Sequence, residues 1–117
     1  MTTAANGRTL WILRGACALI FLLAGGAKLA GHPFMVEEFA RIGMGQGFRL
    51  FTGVVEVAGA LLLLWPRTTF PAALGLLGVC AGAFAAQAGP LKGDLIHVLV
   101  VTAPVAATAW LSRPGAG

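Results

Sequence analysis

Few residues in this chain are able to do chemistry, and most of them stand at the margins of apolar runs. Glu56 lies inside one run and is followed by uncharged residues as far as Pro66. An ionisable side chain in hydrocarbon costs at least about 2.5–3.5 kcal/mol on insertion scales, so it is rarely idle. Arg49 stands seven residues before Glu56, on the same helix face and about 10 Å away. Lys28 ends an earlier run, Gln87 ends a later one, and Asp94 and His97 open the last at i and i+3. A carboxylate beside cations and an imidazole can hold or pass a proton. It can also orient the polar head of a lipid-soluble ligand, with Phe34, Phe39, Phe48, Phe51 and Phe84 as apolar walls. The competing interpretation is structural: Glu56 is neutralised by Lys28, Arg49 or its own proton, and the other groups are ordinary helix ends. No catalytic residue is identifiable, because the chain has no nucleophile triad, phosphate loop or metal-ligand set. Cys17 and Cys80 lie in apolar runs without ligand spacing and read as buried free thiols.

The elements that must position these groups follow from composition. Only 10% of the 117 residues are charged and 58% are hydrophobic, against roughly 25% charge in a soluble domain. So little charge leaves lipid as the solvent for most of the outer surface. The net charge of +4 comes with no Lys/Arg cluster, which excludes a nucleic-acid surface. A membrane helix needs about 20 mostly apolar residues, and four runs qualify: 10–29, 48–65, 70–88 and 94–111. Backbone groups in lipid must bond within the segment, so the runs are helices. They do not alternate apolar and polar, which disfavours barrel strands. The first run is too long for a signal core and three more follow it, so it reads as a retained helix. The expected fold is all-α: one transmembrane domain, 1–117, built as an integral membrane four-helix bundle.

Between the first two spans, residues 33–42 carry Met35, Phe39 and Ile42 at i, i+4 and i+7, with Glu37, Glu38 and Arg41 off that stripe. Pro33 suits a first helical turn and Gly43 a stop, so a short interfacial helix is expected there. Four crossings put Trp11, Trp65 and Trp110 at one membrane face, as an aromatic belt. That face also holds Arg8, Arg14, Arg67 and Arg113, with Arg14 expected to snorkel to the interface. The other face holds Lys28, Arg41, Arg49 and Lys92 together with acids. Lys28 and Arg49 belong partly to their helices, which favours both chain ends in the cytoplasm.

Small residues mark the expected packing faces. Gly75, Gly78, Gly82, Ala85 and Gly89 repeat at steps of 3 and 4 along span three. Gly53 and Gly59 in span two and Gly25 in span one do similar work. Small residues allow membrane helices to approach closely, so Gly25, Gly53, Gly59, Gly75, Gly78 and Gly82 are expected to pack helices within one bundle. A homodimer seam is the alternative use of the span-three stripe.

The segment 14–29, with Arg14, Gly25 and Lys28, resembles the first helix of DoxX-like membrane proteins. Pro33, Phe39 and Gly43, then Gly53, Glu56, Gly59, Leu61 to Leu64 and Pro66, and later Gly82-Ala83-Phe84, extend the likeness over nearly the whole chain. The resemblance implies a four-helix protein of the bacterial inner membrane. Some members are subunits of a thiosulfate:quinone oxidoreductase, and others are linked to membrane redox or oxidative-stress assemblies. Many relatives carry histidine near position 87, and glutamine there removes a titratable, metal-ligating group. Three functions therefore compete. One is a redox-associated subunit with no intrinsic cofactor, binding a quinone or similar amphiphile over Glu56, with Lys28, Arg49, His97, Asp94 and Gln87 around it and electrons handled by a protein partner. The second is a structural or assembly subunit without ligand chemistry. The third is a small proton-coupled exporter, which would usually carry its acid in the first helix. In each the lipid bilayer is the first partner.

Overall fold

The structure is a computed structural model that describes residues 4–89, 91–93 and 95–115, with side chains from Gly7 onward. It contains α1 (Ala4–Ala30), α2 (Pro33–Ile42), α3 (Gln46–Leu63), α4 (Thr69–Ala88) and α5 (Leu95–Ser112). All but α2 are long and apolar enough to cross a membrane. Their outward faces carry large apolar side chains such as Leu19, Leu23, Leu61, Leu74 and Val100, a surface that only lipid solvates. The long axis measures 45 Å, which matches a bilayer of about 40–45 Å with its headgroups. The chain is a multi-pass membrane protein.

Neighbours in the bundle run α1–α3–α4–α5 and back to α1, each pair antiparallel. Trp11, Trp65 and Trp110 are exposed at one end, where α1 starts and α3 and α5 finish; α2 lies at the other. Pro33 occupies the first turn of α2, the His32 side chain accepts the Phe34 amide, and Gly43 closes the helix at φ 85°.

Each close approach has its own chemistry. At the α1–α3 seam a methyl group on Gly25 would lie 2.8 Å from Val57 Cγ2 and 2.9 Å from the Gly53 carbonyl oxygen. One on Gly53 would lie 3.1 Å from the Gly25 carbonyl oxygen, so the two backbones touch where side chains would stand. Gly59 seats Leu76 of α4 in the same way, at 2.9 Å. Gly75, Gly78 and Gly82 correct the expectation of a packing stripe: among the described residues, no neighbouring element comes within 4 Å of a methyl placed on any of them. The helix instead turns Thr69, Ala72, Ala73, Leu76 and Cys80 inward. Both faces of α4 are rich in small residues, so residue size alone does not reveal which one packs.

Arg14 is a second correction. It is 3% exposed rather than snorkelling, and its Nε donates to the Leu63 carbonyl at 2.7 Å. The guanidinium also stacks on Trp11, 3.8 Å from the ring centre. The last carbonyls of a helix lack partners and carry partial negative charge, so the end of α3 holds the cation inward. Thr69 Oγ1 donates to the same Leu63 oxygen at 2.9 Å, and Thr68 Oγ1 to the Leu62 oxygen at 2.7 Å.

The buried core comes from Cys17, Ala18 and Phe21 of α1, Ala60 and Leu63 of α3, Ala72, Ala73, Leu76 and Cys80 of α4, and Val105 and Ala109 of α5. Nearly all of it lies in the tryptophan half of the bundle. The α2 half is packed less tightly, and that asymmetry creates the site.

Candidate functional site

At the α2 end a cavity of about 780 Å³ opens among α1, α3, α4 and α5, with α2 across it. Its size falls within the range of about 300–1,000 Å³ typical of small-molecule sites. Phe21, Phe34, Phe39, Phe48 and Phe51 contribute to its walls, whereas Phe84 does not. Phe39 also meets Phe48 with ring centres 5.6 Å apart, which pins α2 to α3.

Glu56 and Lys28 both line this space. Lys28 Nζ lies 2.7 Å from Glu56 Oε1, and the two side chains are only 10% and 5% exposed. The sequence makes this pairing local to two seams. The contact of Gly25 with Gly53 brings the last turn of α1 against the middle of α3, and Lys28 and Glu56 stand one turn beyond their glycines. Lys28 also sits in the last turn of α1, where the helix dipole favours a cation. Glu56 Oε1 accepts no well-aligned hydrogen bond, so the contact with Lys28 is one of charge rather than of hydrogen-bond geometry. Removing either partner would leave an uncompensated buried charge.

Not every expected group joins the pair. Gln87 and His97 border the cavity. Asp94 lies outside the described residues. Arg49 is absent from the lining, which corrects its placement beside Glu56. Its Nε donates to Gln46 Oε1 at 2.7 Å and its Nη1 to the Lys28 carbonyl. The carbonyls at the end of α1 attract the guanidinium more closely than a carboxylate two turns along its own helix. Gln46 Nε2 in turn donates to the Val36 carbonyl at 3.0 Å, so Arg49 and Gln46 tie α1, α2 and α3 together. Gly75, Gly78 and Gly82, freed from helix packing, border the cavity instead.

Several lining residues escaped the sequence reading, among them Glu38, Arg41 and Cys80. Glu38 faces the cavity while its neighbour Glu37 is exposed. The signal was present: Glu38 follows Met35 by three and precedes Ile42 by four, which puts it at the edge of the apolar stripe. Arg41 donates from Nη2 to the Leu91 carbonyl at 2.9 Å and so fastens α2 to the α4–α5 connection. Cys80 also borders the space; it and Cys17 are free thiols. Cys17 instead faces α5, with Sγ 3.8 Å from Thr108 Oγ1. Among the described residues no three His, Cys, Asp or Glu side chains converge.

The arrangement is a mostly apolar chamber with one buried ion pair inside it and Glu38, Arg41, Gln87 and His97 toward the α2 end. Such a site can orient a molecule having one polar end. Residues 12–112 match the model of the DoxX-like family. No curated protein and no solved structure matches the chain.

Proposed function

The chain belongs to the DoxX-like family, and from that premise we propose that it is a redox-associated membrane subunit whose cavity binds a quinone or a similar amphiphile. The observation that carries this reading is the Lys28–Glu56 pair, buried and yet bordering a cavity of about 780 Å³. A pair needed only for folding has no reason to face open space. Lys28 offers N–H donors to a quinone carbonyl, Glu56 accepts from a quinol hydroxyl, and the phenylalanine walls cover the ring. Electrons come from a protein partner, for the chain has no residue set that carries them. The setting is the bacterial inner membrane with both chain ends cytoplasmic. With Arg14, Lys28 and Arg49 engaged with buried partners, Arg8, Arg67 and Arg113 remain at the tryptophan end against Arg41 and Lys92 at the other, which supports that orientation.

Titration of the reconstituted protein with a short-chain quinone tests this function. Wild type binds, and Glu56→Gln weakens binding by at least about tenfold, the loss of one charge-assisted hydrogen bond of about 1.5 kcal/mol or more. Equal affinities in the two proteins reject the quinone reading. The second reading, an assembly subunit without ligand chemistry, draws on the uncovered glycine face of α4. It gains if a protein partner or a second copy remains bound on gentle extraction and is lost from Gly78→Leu.

A further inference from the structure

The cavity is not closed on all sides. Gly75, Gly78 and Gly82 are exposed on the surface of α4 and at the same time border the cavity. Across from them on α3, Phe51 is 64% exposed and also borders it. The same residues therefore face both the chamber and the outside, at the level of two helices whose outer faces carry apolar side chains for lipid. The chamber opens sideways, between α3 and α4, into hydrocarbon.

The register explains why the opening lies there. Leu76 seats on Gly59, so α3 and α4 touch toward the tryptophan end. Beyond that contact α4 borders the gap with Val79 and the small Ala83 and Ala86, while Gly78 and Gly82 have only open space beside them. The threshold is glycine backbone flanked by small side chains. Inside it, Glu56 is 4% exposed, with one oxygen lacking an aligned hydrogen-bond donor. Polar groups thus stand within and toward α2, and Phe51, Gly78 and Gly82 at the lateral side are apolar.

We infer that the ligand is a long-chain amphiphile that enters from the bilayer between α3 and α4, its head group at Lys28–Glu56 and its chain hanging out over Gly75, Gly78 and Gly82. This rests on the ligand-binding reading above and specifies it: the resident ligand is a polyprenyl-type quinone, and a short-chain quinone serves only as a probe of the head-group site. Lipid is as good a solvent for the chain as the protein surface, so the chain is not drawn inward. It needs only a gap to pass through, and the glycines supply one. Ordinary side chains on that face would close the gap without disturbing any helix contact.

The test uses the whole protein in nanodiscs and two quinones with the same ring, one with a long polyprenyl chain and one with a single prenyl unit. Wild type binds both. The double variant Gly78→Leu/Gly82→Leu loses at least tenfold in affinity for the long-chain quinone and stays within threefold for the short one. Gly15→Leu, on an exposed face of α1 with nothing within 4 Å of an added Cβ, changes neither. Helix content and unfolding temperature confirm that each variant folds. Unchanged long-chain binding in a folded double variant overturns the lateral route while leaving the cavity reading intact. Failure of wild type to bind either quinone overturns the cavity reading and this inference with it. A wild-type dimer that the double variant converts to monomer, with long-chain affinity unchanged, assigns the glycine face to a second copy and also overturns the route.

Discussion

Replacing Lys28 by methionine removes an ammonium and keeps most of an apolar stem. The Glu56 carboxylate, with its side chain 5% exposed and Lys28 Nζ 2.7 Å away, then loses the cation beside it. Removing one member of a buried pair costs about 3–5 kcal/mol, and insertion scales for a membrane charge give about 2.5–3.5 kcal/mol. The two estimates overlap near 3 kcal/mol, more than about a hundredfold in the unfolding equilibrium. An exposed pair would contribute only about 0.2–1 kcal/mol, so the ranges do not meet. The double variant Lys28→Met/Glu56→Leu removes both charges, and apolar replacement of a buried pair is neutral or stabilising by about 1–4 kcal/mol. The pair therefore predicts a severe single variant rescued by a second substitution. Equilibrium unfolding in mixed detergent, followed by helical circular dichroism, gives all four corners of the cycle. A Lys28→Met protein within about 1 kcal/mol of wild type, or strictly additive substitutions, would refute a buried and coupled pair.

Gly53→Val drives a side chain toward the Gly25 carbonyl oxygen, 3.1 Å from the first added carbon; we expect a loss of about 1–3 kcal/mol in the same unfolding assay, against no loss for Gly15→Leu. Thr69→Val removes the single hydroxyl donor that the Leu63 and Trp65 oxygens share, each at 2.9 Å, and should cost about 1–2 kcal/mol. Because Arg14 shares the Leu63 oxygen, combining it with Arg14→Met should be non-additive by at least about 0.5 kcal/mol; strict additivity would deny the shared carbonyl. Arg49→Lys cannot reproduce the forked contact with Gln46 and the end of α1. It should lower stability by about 1 kcal/mol and leave quinone affinity unchanged, whereas a tenfold loss of affinity would restore Arg49 to the site.

Sequence alone exposed the elements that physics states plainly along the chain. Four apolar runs of membrane length, and a short stripe of Met35, Phe39 and Ile42 between Pro33 and Gly43, needed no knowledge of tertiary contacts. A glutamate in the middle of one run was equally legible, since its burial follows from its position in the span. What failed was direction. Arg49 and Arg14 were assigned to the nearest carboxylate and the nearest water, but both guanidiniums went to carbonyls at the ends of neighbouring helices, sinks that a linear reading does not display. The α4 glycines were assigned to packing because small residues permit contact. Permission is not demand: at Gly25, Gly53 and Gly59 a partner fills the space, and at Gly75, Gly78 and Gly82 nothing does. Glu38 and Glu37 looked alike as a charged couple, and only the helical phase of α2 separates them.

The central claim is that a polar-headed amphiphile occupies the chamber over Lys28 and Glu56. A photoreactive azidoquinone, irradiated with the protein in nanodiscs and mapped by peptide mass spectrometry, tests it most directly. The account requires adducts on cavity residues of α2, α3 and α4, such as Met35, Thr52 and Val79, displaced by excess unlabelled quinone and weakened by Glu56→Gln. Adducts confined to outer residues such as Leu19, Leu23 and Val100, undiminished by competitor, would contradict it.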